Sequence, residues 1–301
     1  MSKRFATPPR STREDLAASR AQAEALFKEL RRDEGPRTFE TICADVDPIV
    51  RQALVATGDL LSLTGDVFRA DPLLFQILRN FCGPPISEED LWTLVGGPKF
   101  KRVPPDYADE TADVISLVID PVRFPWVKDH RPPTSIELEA AVLATTTLVA
   151  SRIIATNRRG SASSRQEAAV AAVLESSGFA FDKSRAAIRA LDDLARGSFS
   201  RERAVTGAKC DVPVRLRDGR LLALECKVSN GPKNSWKRVN REVGGKAETW
   251  RQQFGMQVVT GIVLAGVYDL ACLVAAQDSQ NVVLFWEHDL TPLADFLELA
   301  T

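Results

Sequence analysis

The sequence has few of the residues on which several enzyme classes depend. It contains two histidines in 301 residues, and these, His130 and His288, lie far apart in the chain. A zinc hydrolase or a nuclease that uses a histidine therefore has little support. The five cysteines are odd in number and show no CxxC spacing, which argues against a zinc knuckle and against a disulfide framework. Reduced thiols are the expected state.

We expect no signal peptide, no membrane span and no nucleotide-binding motif. The first ten residues, MSKRFATPPR, lack an apolar core. The most apolar window, residues 258–276, includes Asp269 and two glycines, so that a buried strand and a helix explain it better than a membrane span. No GxGxxG or Walker A run is present, and no nucleotide cofactor is indicated. We expect a cytoplasmic protein without membrane contact.

The composition is that of an ordinary globular protein, with 45% apolar and 26% charged residues. Residues 1–12 are polar and contain prolines, which predicts a disordered arm. Residues 13–133 predict a helical N-terminal subdomain that ends in an irregular, proline-rich connection. Its predicted helices include 13–32 and 39–63. We place the second domain at 134–301, with a helix at 136–155 and a loop at 157–161. In that loop, Arg158 and Arg159 suit either phosphate binding or simple solvation.

The second domain alternates helical and strand-like segments. The predicted helices are 164–178, 186–194, 235–254, 269–277 and 290–299. The predicted strands are two segments either side of a turn, from Asp211 to Lys227, followed by 257–266 and 281–287. The strand at 257–266 is continuously apolar, which is typical of a central strand covered on both faces. This order predicts an α/β (α+β) fold, a mixed central sheet flanked by helices.

Three charged residues occupy the two segments around the turn at Asp218-Gly219. Asp211 opens the first segment, and Glu225 and Lys227 end the second. Side chains at i and i+2 of a strand share a face, so Glu225 and Lys227 project together while Cys226 faces the opposite layer. Two carboxylates suffice to hold Mg²⁺, and the carbonyl of Cys226 can add a ligand. A lysine beside them can orient or deprotonate a water that attacks a phosphodiester.

A D…ExK spacing also occurs by chance, and charged pairs are common on surface strands. Three observations favour a site here. The strand is apolar immediately before Glu225, the turn makes the strands of Asp211 and Glu225 neighbours, and basic residues follow. Between residues 227 and 251 there are seven lysines and arginines against two acids, in a chain of net charge −1. Such a local excess suits a phosphate backbone.

Polar side chains are interspersed with these basic residues, on the stretch from the end of the second strand into the next helix. Amides, hydroxyls and basic groups of this kind contact phosphates and base edges. We predict DNA contacts by Ser229, Asn230, Asn234, Ser235, Lys237, Arg238, Asn240 and Arg241. The same helix carries a buried stripe formed by Val239, Val243, Ala247, Trp250 and Phe254.

The set Gln166-Glu167, Asp211 and Glu225-Cys226-Lys227 resembles the PD-(D/E)XK nuclease superfamily. The run CKVSNGPKNSWKRVNREVGGKAETW and the later FWEHDL are similar to XamI-type type II restriction endonucleases, over about residues 155–299. Cys210 stands where the motif has proline. The resemblance implies Mg²⁺-dependent cleavage of double-stranded DNA by a homodimer at a short palindrome, GTCGAC, to 5′-phosphate and 3′-hydroxyl ends.

The resemblance also implies roles for single residues. Asp211 and Glu225 become metal ligands with Cys226, Lys227 becomes the catalytic lysine, and Glu167 becomes an auxiliary acid on the first core helix. The alternative for Glu167 is an ordinary solvated helix residue. Two alternatives to a restriction endonuclease stay open: a sequence-nonspecific PD-(D/E)XK nuclease of repair or defence, and a catalytically inactive DNA-binding module.

Overall fold

A computed structural model describes residues 5–301, apart from the side chains of 33–34 and 158–163. The chain divides into two compact units, Met1–Asp33 with Arg158–Thr301, and Glu34–Asn157. The expected boundary at 133–134 falls inside the second of these units. Two long helices, α1 (Arg13–Ala56) and α7 (Ser135–Ser176), contribute residues to both.

The unit Glu34–Asn157 is helical, as predicted for the N-terminal part. Besides parts of α1 and α7 it contains α2 (Gly65–Ala70), α3 (Phe75–Leu78), α4 (Glu88–Val95), α5 (Ala108–Leu117) and α6 (Pro125–Lys128). Ser87 caps α4 through a capping box with Asp90. The core of this helical unit includes several aromatic side chains. The Phe81 and Phe124 rings stack with their centroids 5.1 Å apart, and Trp126 Nε1 donates to the carbonyl of Asp59.

The long helices correct two predictions. Helix α1 is continuous where two helices were expected, and it includes Pro36 and Pro48. Buried side chains late in α1, Val50 among them, pack into the helical core, so tertiary packing outweighs the local proline signal. Helix α7 likewise runs through the loop expected at 157–161. Phosphate binding by Arg158 and Arg159 stays a prediction, because their side chains are not among those that the structure describes.

Part of α7, Ser135–Asn157, is by length and composition apolar enough to cross a membrane, with a mean hydropathy of 1.5. Several of its side chains, including Val142 and Val149, are buried in the core of the helical unit. The apolar window is 39% buried, so these contacts cover part of its apolar surface.

The other unit contains a six-stranded mixed sheet in the order β1-β2-β5-β6-β7-β8 and a separate β3-β4 hairpin. Its strands are β1 (Ala180–Asp182), β2 (Ser198–Ser200), β3 (Arg203–Val205), β4 (Ala208–Cys210), β5 (Val212–Arg215), β6 (Leu221–Asn230), β7 (Val258–Val267) and β8 (Val283–Trp286). Strand β6 pairs with β5 antiparallel and with β7 parallel, and β7 pairs with β8 parallel. The predicted α/β fold with a mixed sheet is confirmed.

Helices cover both faces of this sheet. They are α8 (Pro232–Trp236), a π-helix (Lys237–Val243), α9 (Gly244–Phe254), α10 (Leu270–Gln280), α11 (Thr291–Leu299) and the end of α7. One face buries Cys226 and Val263 with α7 and α11 residues, and the other buries Ile262 and Leu264 with α9 and α10 residues. Strand β7 thus packs on both sides, as its continuous apolar run predicts. Asp269 caps α10 by accepting from Cys272 N, also as expected.

One expectation for this unit is wrong. The helix expected at 186–194 is a loop with a short 3₁₀ turn at Leu191–Asp193. The buried guanidinium of Arg203 donates to the carbonyls of Ala186 and Asp193, and these bonds hold the loop in place of helical ones. Residues 5–12 of the predicted disordered arm contact this unit: Ser11 N–H donates to the Gln277 side chain, which in turn donates to the Ser11 carbonyl. Residues 1–4 lie outside the described part of the chain, and the disordered arm stays a prediction.

Strand β6 also extends beyond its predicted end at Lys227. It pairs with β7 as far as Asn230, opposite Val267, whereas its pairing with β5 stops at Leu224. Gly266 permits the close approach near this end: its φ is +93°, and a Cβ there would lie 2.2 Å from the Ser229 carbonyl oxygen. Beyond Leu224, β6 therefore keeps its partner strand β7, whereas no strand of the described residues pairs with it on the β5 side.

Candidate active site

The β5–β6 hairpin brings three charged side chains together. Val212 pairs with Leu224, which places Asp211 beside Glu225 where β5 begins. Lys227 Nζ lies 2.7 Å from Asp211 Oδ2 and 2.9 Å from Glu225 Oε2. The two carboxylates thus converge on one ammonium group at the point where β6 loses its β5 neighbour. This is the cluster that the turn and the i, i+2 spacing predict.

The backbone of β6 fixes Asp211. The amide N–H of Cys226 donates to Asp211 Oδ2 at 2.8 Å, the same oxygen that Lys227 contacts. The Cys226 side chain points to the opposite face, where it is buried in the apolar core. Burial, with the charge of Asp211, raises the pKa of this thiol well above its ordinary value. The thiol is therefore an inert core group, and only the backbone of Cys226 faces the site.

Glu225 is a completely buried carboxylate. Burial raises its pKa above the ordinary 4.5, and the negative charge of Asp211 adds to the rise, while Lys227 and Lys246 oppose it. Its Oε1 is buried and has no hydrogen-bond partner among the described residues. An orphaned carboxylate oxygen of this kind is unusual, because buried polar atoms are nearly always satisfied.

Lys227 is a largely buried lysine that keeps its proton. Burial alone would lower its pKa, but the charges of Glu225 and Asp211 outweigh burial and raise the pKa above the ordinary value. In this arrangement Lys227 is an ammonium ion rather than a base. Its geometry suits orientation of a water or stabilisation of negative charge on a phosphate.

Lys246 is a fourth charged group at the site, and the sequence predictions missed it. Its Nζ lies 2.7 Å from Glu225 Oε2 and donates a hydrogen bond to it. A signal existed: at about 100° per residue, Lys246 lies at one edge of the buried stripe of its helix, roughly 20° beyond Val239. A lysine beside a buried stripe needs a partner on the surface against which the helix packs.

Glu167 lies on the half of α7 that packs against the sheet. Its carboxylate is 3.9 Å from the guanidinium of Arg201, and it is close enough to Cys226 to raise the pKa of that thiol. The preceding residue, Gln166, is completely buried and donates to the carbonyl of Val263, the partner of Cys226 on β7. The auxiliary-acid role of Glu167 stays a prediction.

The residues predicted to contact DNA fall into two groups. The accessible ones are Asn230, Asn234, Lys237 and Arg241, all exposed, although Asn230 Oδ1 accepts a hydrogen bond from Arg31 at 3.4 Å. The others have side chains that bond within the protein. Ser229 and Ser235 are completely buried, with their hydroxyls on the carbonyls of Gly231 and Pro232, Arg238 donates to the carbonyl of Val228, and Asn240 donates to the carbonyl and thiol of Cys272.

These contacts hold the connection between β6 and its helix. The helix runs without a break from Pro232 to Phe254, with a π-helical part at Lys237–Val243. The predicted helix and its buried stripe are confirmed. A π-helix is rare and frequently marks a functional site, because it shifts the side chains that follow it around the helix axis. Here the residues that follow include Lys246.

A divalent cation fits the donor set of this site. Among the described residues, no group of three or more His, Cys, Asp or Glu side chains is arranged to hold a metal. Mg²⁺, however, takes oxygen ligands and keeps several waters, so one or two carboxylates are enough. Asp211 and Glu225 supply two, and the orphaned Oε1 of Glu225 is an oxygen not already engaged by a protein donor.

A mixed sheet with helices on both faces, and an Asp, a Glu and a Lys at the edge of its β5–β6 hairpin, is the core of the PD-(D/E)XK nucleases. The chain belongs to the XamI restriction endonuclease family, whose sequence profile matches residues 58–286. It is therefore a type II restriction endonuclease, a site-specific deoxyribonuclease. This membership favours the main prediction over the nonspecific nuclease and the inactive module.

Two relatives support this assignment. The chain is 34% identical to the type II restriction enzyme XamI of Xanthomonas campestris pv. amaranthicola over 269 residues, which cover 82% of this chain and 93% of the relative. It is 24% identical to the type II restriction enzyme SalI of Streptomyces albus G over 321 aligned residues, 96% of this chain and 98% of the relative. No solved structure gives a significant match.

Proposed function

We propose that this restriction endonuclease hydrolyses double-stranded DNA with Mg²⁺ held by Asp211 and Glu225. The observation that carries the proposal is the convergence of both carboxylates on Lys227, with Glu225 Oε1 left unbonded. The backbone carbonyl of Cys226 is the third proposed ligand. When bound, Mg²⁺ supplies Lewis-acid activation of the scissile phosphate and its attacking water.

The protein groups divide the remaining work. Lys227, held as an ammonium ion between the carboxylates, orients the water and stabilises negative charge that develops on the phosphate. The amide of Cys226 holds Asp211 in place through Oδ2. Glu167 is the proposed auxiliary acid, and its partial burial beside the strand that carries Glu225 suits that position.

The exposed polar residues after β6 form the proposed DNA contact surface: Asn230, Asn234, Lys237 and Arg241. Their positions on the segment that leaves the catalytic strand suit a backbone that passes the carboxylates. We further propose recognition of GTCGAC by a cytoplasmic homodimer and cleavage to 5′-phosphate and 3′-hydroxyl ends. A two-fold symmetric dimer matches a palindromic site, because each subunit then reads one half.

Digestion of plasmids of known sequence tests this function. With Mg²⁺, we expect discrete fragments whose sequenced ends all map to one palindrome, GTCGAC, and no cleavage with EDTA. A plasmid in which every GTCGAC is altered by one base pair is the control and should stay intact. Discrete cutting at another palindrome would contradict the proposed site but keep the enzyme class. A smear, or cutting in EDTA, would contradict the proposed function itself.

Replacing Arg241 by alanine tests the DNA contact surface. Arg241 is exposed on the helix that follows the catalytic strand, so the Arg241→Ala variant should bind specific DNA more weakly in Ca²⁺. The slope of log affinity against log salt concentration should also fall by about 1 if a phosphate contact is lost. The measurement is fluorescence anisotropy at several salt concentrations.

A matched control is Arg10→Ala, which removes the same charge. Arg10 is exposed and pairs with Asp278, and neither residue belongs to the proposed surface. This variant should retain both the affinity and the slope of the wild type. Equal losses in both variants would indicate a general charge effect and would remove Arg241 from the interface.

A further inference from the structure

Two lysines share one oxygen of the buried Glu225. Lys246 Nζ is 2.7 Å from Oε2, and Lys227 Nζ is 2.9 Å from the same atom. The other oxygen, Oε1, is buried and without a hydrogen-bond partner among the described residues. Lys227 also donates to Asp211, whereas Lys246 donates to Glu225. Both lysines thus contact the same oxygen of Glu225, Oε2.

Lys246 reaches Glu225 from a firmly packed helix. Its neighbours Val243 and Ala247 are buried against the sheet, and Trp250, one turn further along, is completely buried and donates through Nε1 to the carbonyl of Val205. The Lys246 side chain is 24% exposed, while that of Glu225 is not exposed at all. The helix therefore delivers a charge to the strand at a fixed position.

We propose that Lys246 is a positioning residue, which fixes Glu225 through Oε2 and so keeps Oε1 free to bind the divalent cation. The inference rests on the proposed function, in which Glu225 is a metal ligand. With Lys246 absent, Lys227 is the remaining ammonium group on Glu225, and rotation of the carboxylate lets it bond either oxygen. Lys227 then competes with the cation for Oε1.

A lysine that merely adds positive charge would have the opposite effect. Like charges a few ångströms apart repel, so an ammonium group beside a cation site opposes binding of the cation. Removing such a charge tightens metal binding. Removing a group that orients a ligand weakens metal binding, typically by about 10–100-fold. The sign of the change in metal affinity therefore separates the two roles.

The test is Mn²⁺ binding to the full-length protein without DNA, measured by the electron paramagnetic resonance signal of free Mn²⁺. We expect Lys246→Met to bind Mn²⁺ about tenfold more weakly than the wild type. Lys246→Arg, which restores a donor to Oε2, should recover most of the loss. Lys101→Met is the control, since Lys101 is an exposed lysine of the helical unit whose partner is Glu88, and its Mn²⁺ affinity should not change.

Unchanged or tighter Mn²⁺ binding by Lys246→Met would overturn the inference. Glu225→Gln separates this failure from failure of the proposed function. If Glu225→Gln loses Mn²⁺ binding while Lys246→Met keeps it, Glu225 is a ligand that Lys246 does not position. If Glu225→Gln and Asp211→Asn both bind Mn²⁺ as the wild type does, the metal site itself is wrong. Cooperative thermal unfolding in EDTA shows that each variant is folded, and Lys246→Gln replaces Lys246→Met if the latter does not fold.

Discussion

Lys227→Met is expected to abolish DNA cleavage, lowering kcat/KM by roughly 10³-fold or more, while DNA binding in Ca²⁺ persists. Lys227 is the ammonium group that bridges Asp211 and Glu225, and its raised pKa keeps the charge in place at neutral pH. Methionine keeps the length and the apolar stem of the side chain but removes that charge. The reacting phosphate then loses a donor that stabilises it in the transition state.

The experiment pairs single-turnover cleavage in Mg²⁺ with binding in Ca²⁺ for the same variant. Lys101→Met, which removes an exposed charge paired with Glu88 in the helical unit, is the control and should cleave as the wild type does. If Lys227→Met cleaves within tenfold of the wild type, Lys227 is not the catalytic lysine. A variant that loses binding and cleavage together would assign Lys227 to substrate binding instead.

The cluster around Lys227 is predictable from sequence because its geometry is local. A DG turn joins two adjacent strands, and Gly219 at that turn has a φ of +99°, a conformation that favours glycine. Once the strands are paired, Asp211 and Glu225 must approach each other. The i, i+2 rule then places Lys227 on the face of Glu225. Short-range rules thus define three of the four charged groups.

Lys246 is harder to predict because it comes from a separate helix. Its contact with Glu225 spans 21 residues and depends on how α9 packs against the sheet. The same limit applies to the segment after β6. Ser229 and Ser235 look like DNA contacts in the sequence, but both are buried and bond to nearby carbonyls. Polarity alone does not distinguish a hydroxyl that contacts a ligand from one that stabilises a loop.

The strands of the sheet and the loop at 186–194 show the same contrast between local and tertiary signals. The apolar run of β7 is long and unambiguous, and its prediction is confirmed. Strands β1 to β4 have three residues each, too few for a periodic pattern. The loop at 186–194 carries apolar residues at helical spacing, yet the buried Arg203 satisfies its carbonyls without a helix. The structure of such segments is determined by the strands and side chains that contact them, more than by their own sequence.

Glu225→Gln is expected to abolish cleavage and, in EDTA at neutral pH, to stabilise the fold. The loss of cleavage, about 10³-fold or more, follows from removal of a charged metal ligand. The gain in stability follows from burial, which together with Asp211 makes the ionised Glu225 unfavourable in spite of its two lysines. Glutamine has nearly the same shape without the charge. Lys246, 24% exposed, can turn its ammonium group to water.

The pH dependence of this gain has a definite sign. Because the folded-state pKa of Glu225 is raised above 4.5, the unfolded chain releases this proton at a lower pH than the folded chain. Ionisation of Glu225 therefore lowers the free energy of unfolding of the wild type as the pH rises from about 4.5 towards the raised pKa, and a glutamine at this position makes no such contribution. The difference in Tm between Glu225→Gln and the wild type should vanish below 4.5 and reach its maximum above the raised pKa.

Thermal denaturation in EDTA between pH 4 and pH 8 measures this difference. A gain on the order of 1 kcal/mol corresponds to a rise in Tm of roughly 2–4 °C for a domain of this size. Glu248→Gln is the control: Glu248 is exposed on the same helix as Lys246, so the change should alter Tm little at any pH. A lower Tm for Glu225→Gln at pH 7.5 would mean that its lysine contacts outweigh burial. The ion pairs of Glu225 with its lysines would then stabilise the free enzyme. They would contradict the view that this carboxylate lowers the stability of the fold and is needed for cleavage.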